Sequence, residues 1–178
     1  MNTYIALLRG VNVGGNHMLP MKELKLLFEQ NGCSDVRTYI QSGNVVFCSR
    51  ISETSRLEKR LATCVSKSYG FEPKVLVLTT EELEIAAANN PFPEAEADPK
   101  SVHLFFLTST PEALDIPSVE ALKAPSERFE LSGRVFYLHT PDGFGISKLA
   151  GRVEQLLGVP ATARNWRTVT TLLEMARS

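Results

Sequence analysis

Short apolar runs alternate with amphipathic helical stretches along this chain, and the same order of elements occurs twice. Tyr4-Ile5-Ala6-Leu7-Leu8 is a continuous apolar run closed by Gly and Asn, the pattern of a buried strand. Pro20 opens a helix in which Met21, Leu24, Leu27 and Phe28 fall on one face, and Asn31-Gly32 stops it. Residues 36–40 and 45–48 flank Gln41-Ser42-Gly43-Asn44, a turn rich in residues that tolerate positive φ, so the two runs should pair antiparallel. A second helix over 55–69 places Leu57, Leu61, Cys64 and Val65 inward and ends at Gly70, and 73–78 is again a strand. The order is β-α-β-β-α-β.

After a helix over 80–88 and a Pro-rich acidic connector over 90–99, the order restarts. Residues 102–107 form a strand, 118–123 a short helix, and 129–131 and 135–139 a hairpin around Ser132-Gly133. A helix over 147–157 buries Leu149, Val153, Leu156 and Leu157, residues 159–162 form an edge strand, and a last helix runs from 168 to 176. The pattern predicts an α+β protein: two tandem ferredoxin-like (β-α-β-β-α-β) split units plus a C-terminal helix. The first unit spans 1–80, the helix and connector 81–100, and the second unit with its terminal helix 101–178. The duplication rests on element order, since side-chain identity between the halves is poor.

Charge changes this picture in one respect. The 178 residues carry a net charge of −1, which argues against gripping nucleic acid by bulk charge. The balance is segmented, however: residues 1–80 hold 10 Lys+Arg against 6 Asp+Glu, residues 81–130 hold 3 against 11, and residues 131–178 hold 6 against 3. Two basic ends bracket an acidic middle, so a local anion site is compatible with a near-neutral total; a solvated acidic connector explains the same numbers. The three cysteines are isolated and the three histidines share no ligand spacing, which predicts free thiols and no metal site. No run is long enough to span a bilayer and the N-terminus lacks a secretion-signal plan, so the expectation is a cytoplasmic protein without membrane contact, monomeric or homodimeric.

Four segments carry candidate chemistry. In Arg9-Gly10-Val11-Asn12-Val13-Gly14-Gly15-Asn16 the glycines can turn backbone N–H groups toward an anion, with Arg9 and Asn12 beside them, or they simply serve a long connection. In the hairpin turn, Gln41, Ser42 and Asn44 stand as polar groups at one sheet end, or merely close the turn; Ser42 lacks the setting of a catalytic nucleophile. Gly143-Phe144-Gly145-Ile146-Ser147-Lys148 places two glycines and Lys148 at a helix start that Ser147 caps. In Thr162-Ala163-Arg164-Asn165-Trp166-Arg167, Arg164 and Arg167 flank the only Trp, while Asn165 is positioned to cap the last helix and Trp166 to anchor it.

The segments Leu8 to Gly15, Tyr39 to Phe47 and Thr162 to Thr168 together closely resemble the signatures of the bacterial domain of unknown function 1697 family, and Gly143 to Leu149 resembles a fourth. The resemblance runs over essentially the whole chain. It implies an α+β protein with ferredoxin-like parts and implies no established reaction or cofactor.

The leading functional expectation is a phosphate- or carboxylate-bearing small ligand held in a cleft between the two halves. Its binding residues would be Arg9, Asn12, Gly14, Gly15, Gln41, Ser42, Asn44, Lys148, Arg164, Asn165 and Arg167. A nucleic-acid-binding module is the alternative, with Phe47, Phe106 and Tyr137 as stacking platforms. An enzyme of unknown reaction using Lys148 or His17 as acid or base, or a ligand-free interaction domain, completes the alternatives. No catalytic constellation is visible in the sequence.

Overall fold

A computed structural model describes all 178 residues, which divide into two compact units. The first comprises residues 1–85 with 171–178, and the second residues 86–170.

The first unit is built on four strands, β1 (Asn2–Arg9), β2 (Ser34–Tyr39), β3 (Asn44–Ser49) and β4 (Lys74–Thr79), in the sheet order β2-β3-β1-β4. Every pairing is antiparallel. Helices α1 (Met21–Gln30) and α2 (Thr54–Tyr69) cover one face. Period-two alternation sends Tyr4, Ala6 and Leu8 of the central strand toward them, where they meet Leu24, Phe28, Leu57, Leu61 and Val65. Phe28 and Phe47 meet edge to face, with centroids 5.2 Å apart, a favourable contact beyond the roughly 2–3 kcal/mol that burying each ring contributes. Gly70 ends α2 in the left-handed conformation at φ 74°, as expected for its C-terminal glycine. The hairpin at 41–44 closes as predicted, pairing Tyr39 with Asn44. Helix α3 (Thr80–Ala88) follows β4 directly and crosses from the first unit into the second.

The second unit contains β5 (Val102–Leu107), α4 (Ile116–Leu122), β6 (Arg128–Ser132), β7 (Val135–His139), α5 (Val153–Leu157) and β8 (Ala161–Asn165). Its sheet order is β6-β7-β5-β8, again wholly antiparallel. Phe105, Phe136, Leu138, Leu149 and Val153 form the core on the helix-covered face, with Phe105 edge-on to Phe136 at 5.9 Å. Helix α6 (Trp166–Arg177) begins here and ends in the first unit.

Three expectations are corrected. The single helix over 147–157 is broken: Phe144–Ile146 and Ala150–Arg152 are 3-10 turns, and only Val153–Leu157 is α-helical. Gly151 sits where the helix should have continued and costs it about 1 kcal/mol relative to alanine. The edge strand over 159–162 lies later in the chain, at Ala161–Asn165, because Pro160 supplies no N–H for a ladder, so Arg164 and Asn165 are strand residues. The last helix starts at Trp166 instead of Thr168 because Asn165 caps it there, its Oδ1 accepting the Thr168 N–H at 2.9 Å. No helix is long and apolar enough to cross a membrane.

Candidate functional site

The first glycine-rich segment is a miniature hairpin of its own. Val13 bridges Asn16, the Asn16 N–H donates to the Val13 carbonyl at 2.9 Å, and the Asn12 N–H donates to the His17 carbonyl at 3.0 Å. Gly14 at φ 57° and Gly15 at φ 78° supply the two left-handed residues that a tight type I′ turn needs, so turn geometry accounts for both. The loop is fixed to the β2–β3 turn by one side chain. The Asn12 amide donates to the carbonyls of Leu19 (2.9 Å) and Gln41 (2.8 Å), while its Oδ1 accepts the Leu19 N–H at 2.7 Å. The His17 ring bonds the Gly10 carbonyl at 2.9 Å and stacks on Phe71 at 4.3 Å, which assigns it a packing role.

The second segment closes against the same strand. The Leu8 N–H donates to the Gly43 carbonyl at 2.8 Å, and a Cβ on Gly43 would lie 2.7 Å from the Leu8 Cβ, so only glycine fits. Asn44 is fully buried and its amide donates to the Tyr39 carbonyl (3.2 Å) and the Ser42 hydroxyl (3.1 Å). Asn12 and Asn44 are therefore braces whose amides hold the Gln41 and Tyr39 carbonyls and the Ser42 hydroxyl, and Arg9, Gln41 and Ser42 are exposed side chains.

Strand pairing adds a residue that sequence reasoning missed. Arg9 lies directly opposite Lys74, and Leu7, one step back on the same face, lies opposite Asn44. Because Leu8 points to the helices, Arg9, Lys74 and Asn44 share the other face of the sheet. Arg9, Gln41, Ser42 and Asn44 thus stand with Lys74 at one end of the first sheet, and Asn12 ties the Gly14-Gly15 loop to the same turn. Nothing in the local sequence around Lys74 announces this, since it follows from a register between strands 65 positions apart.

In the second unit the candidates divide. Lys148 is exposed and lines a cavity of about 300 Å³ with Lys123, Glu127 and Asp142. Both carboxylates there are engaged: Glu127 accepts the Ala124 N–H at 3.1 Å, and Asp142 accepts the Ser126 hydroxyl. Arg164 lies opposite Leu104, on the face away from Ala161 and Ala163, whereas Leu149 next to Lys148 belongs to the helix-side core. The segments bearing Lys148 and Arg164 accordingly sit on opposite faces of the second sheet. Burial pulls the Arg164 guanidinium down to about 10, still charged at neutral pH, and it donates to the Ala163 carbonyl at 2.8 Å. Asn165 caps α6, Trp166 is buried with its indole N–H on Glu96 at 3.2 Å, and Arg167 is exposed.

Phe47, Phe106 and Tyr137 are each no more than 3% exposed, so none presents a ring to a base, which corrects the stacking-platform expectation. Cys33, Cys48 and Cys64 are free thiols, with burial pushing Cys33 up to about 11. No group of three or more His, Cys, Asp or Glu is placed to hold a metal ion.

Two four-stranded antiparallel sheets with helices define a mixed α+β protein whose polar motifs mainly brace turns and caps. The chain belongs to the family described as Protein of unknown function (DUF1697), whose model matches residues 1–137. Its fold is similar to the structure of the conserved bacterial protein SP0830 from Streptococcus pneumoniae, at 26% identity and a TM-score of 0.69, covering 98% of each chain. No curated protein matches it.

Proposed function

We propose that the protein binds a small ligand bearing a carboxylate or phosphate, and that the first unit recognises it at the end of the sheet where Arg9 and Lys74 stand opposite each other. That juxtaposition carries the reading. Two cations facing each other across the β1–β4 ladder can each donate a charge-assisted hydrogen bond to one anion. Gln41 and Ser42 add an amide and a hydroxyl from a turn that Asn12 and Asn44 hold rigid, so little ordering is required on binding.

The matching strand orders β2-β3-β1-β4 and β6-β7-β5-β8 support reading the two units as ferredoxin-like and duplicated. Three free cysteines favour a reducing compartment such as the cytoplasm.

Thermal denaturation with a panel of phosphate monoesters and di- and tricarboxylates tests the binding. A ligand at a hundred times its Kd should stabilise by about 2.7 kcal/mol, a rise of roughly 5 °C or more. Arg9→Ala and Lys74→Ala should each abolish the rise. No stabilising member, or a rise that both variants retain, refutes the assignment.

A further inference from the structure

A second feature of the first unit lies on the helix-covered side of its sheet, along α2 beside the end of α1. Asn31 of the α1 C-terminus and Arg56, Lys59, Arg60, Thr63 and Lys67 of α2 line a groove of about 360 Å³, with the buried Cys64 among its walls. The cations recur at intervals of three, four and seven residues, so they share one helix face. Their spread from Arg56 to Lys67 is roughly 16 Å at 1.5 Å per residue.

None of these four cations has a carboxylate within ion-pair distance. The nearby acids are turned to other work. Glu58 of α2 accepts the Val77 N–H at 2.9 Å, on the sheet side of the helix, and Glu29 of α1 faces Lys25 at 3.8 Å. The Arg60 guanidinium lies near Gly32, within van der Waals reach of that position at the end of α1. Elsewhere in the chain Lys25, Arg37, Lys123, Arg128 and Arg177 all have acidic partners. Here four cations line one concavity with no acid paired to any of them.

We propose that this groove is a binding site for a phosphate chain, of the length found in a small molecule with three or more linked phosphoryl groups. The volume is that of a small-molecule site, and a linear polyanion is the ligand whose charge spacing can follow cations arrayed along a helix. No aromatic ring lines the groove, so the phosphates are read and an attached base or sugar is left outside. The site lies on α1 and α2, away from Arg9 and Lys74, and does not depend on the reading proposed for that end of the sheet.

The experiment is isothermal titration of the full chain with inorganic tripolyphosphate, a nucleoside triphosphate and orthophosphate in low salt, with a single-stranded oligonucleotide and phosphoinositide-containing vesicles as separate arms. Tripolyphosphate and the nucleoside triphosphate should bind equally, and orthophosphate at least tenfold more weakly. The double variant Lys59→Gln/Arg60→Gln, on the exposed side of a helix whose buried face is untouched, should lose tenfold or more in tripolyphosphate affinity while keeping its melting temperature. Lys22→Gln, an exposed cation outside the groove, should change it less than twofold. Absence of tripolyphosphate binding, equal binding by the double variant, or tighter binding of the oligonucleotide or the vesicles would each overturn the proposal.

Discussion

The side-chain amide of Asn12 donates to the main-chain carbonyl of Gln41 at 2.8 Å, tying the β1–α1 loop to the β2–β3 turn across 29 positions of sequence. Two further bonds fix Asn12 to both backbone groups of Leu19, and its own backbone is held at φ 53°. Alanine leaves those partners unpaired and suits the left-handed conformation poorly. Asn12→Ala should lower stability by about 2–4 kcal/mol in urea unfolding. Asn12→Asp, which keeps the acceptor for the Leu19 N–H but turns a carboxylate oxygen against the Leu19 and Gln41 carbonyls, should cost at least as much as alanine. A cost below about 0.5 kcal/mol would show that the brace is dispensable.

Glycines of the two motifs should respond differently to the same change. Gly43 has no room for a Cβ, with Leu8 and Val11 atoms at 2.7 and 2.9 Å, and it sits at φ 77°. Gly14 shares the positive φ but meets nothing within 4 Å. Gly43→Ala should cost about 3 kcal/mol or more, and Gly14→Ala about 1 kcal/mol. Thermal unfolding of the pair checks this, and similar costs would contradict the packing argument.

Gly151 lies outside the positive-φ region and has open space where a Cβ would project. Gly151→Ala should raise stability by about 0.5–1 kcal/mol, mainly by restricting the unfolded chain. A loss of stability in chemical denaturation would mean that glycine is required at this turn.

His103 stacks on Phe144 with centroids 3.7 Å apart, its Nδ1 is buried without a partner, and burial pulls its pKa from 6.5 to about 4. The unfolded chain therefore binds a proton before the folded one does. The stabilising effect of a neutral His103 is complete above pH 6.5 and is lost as pH falls toward 4, a change of roughly 3 kcal/mol. His103→Phe should flatten that part of the stability profile. An NMR titration of the imidazole giving an ordinary value near 6.5 would contradict the burial.

Most of the elements were legible because their signals are local. Apolar periodicity located α1 and α2, and the turn Gln41-Ser42-Gly43-Asn44 paired β2 with β3. The helix predicted from Ser147 failed because the apolar spacing of Leu149, Val153 and Leu157 persists through a glycine that interrupts the backbone. The site was less legible for two reasons. Asn12 and Asn44 look like ligand-orienting amides in the sequence, and only hydrogen-bond partners distant along the chain, or buried, reveal them as braces. Lys74 is invisible as Arg9's neighbour until the strand register is known. The row from Arg56 to Lys67 was readable as helical spacing, yet it resembles any solvated face until the acids nearby are seen to be engaged elsewhere.

The central claim, that the sheet end bearing Arg9 and Lys74 holds an anion, is tested most directly by following backbone amide resonances during titration with citrate and, separately, inorganic phosphate. Saturable shifts at Arg9, Gln41, Ser42 and Lys74 with at least one of them, abolished in Arg9→Ala, are the predicted result. No saturable shift with either anion, or shifts confined to residues 56–67 of α2, would contradict it.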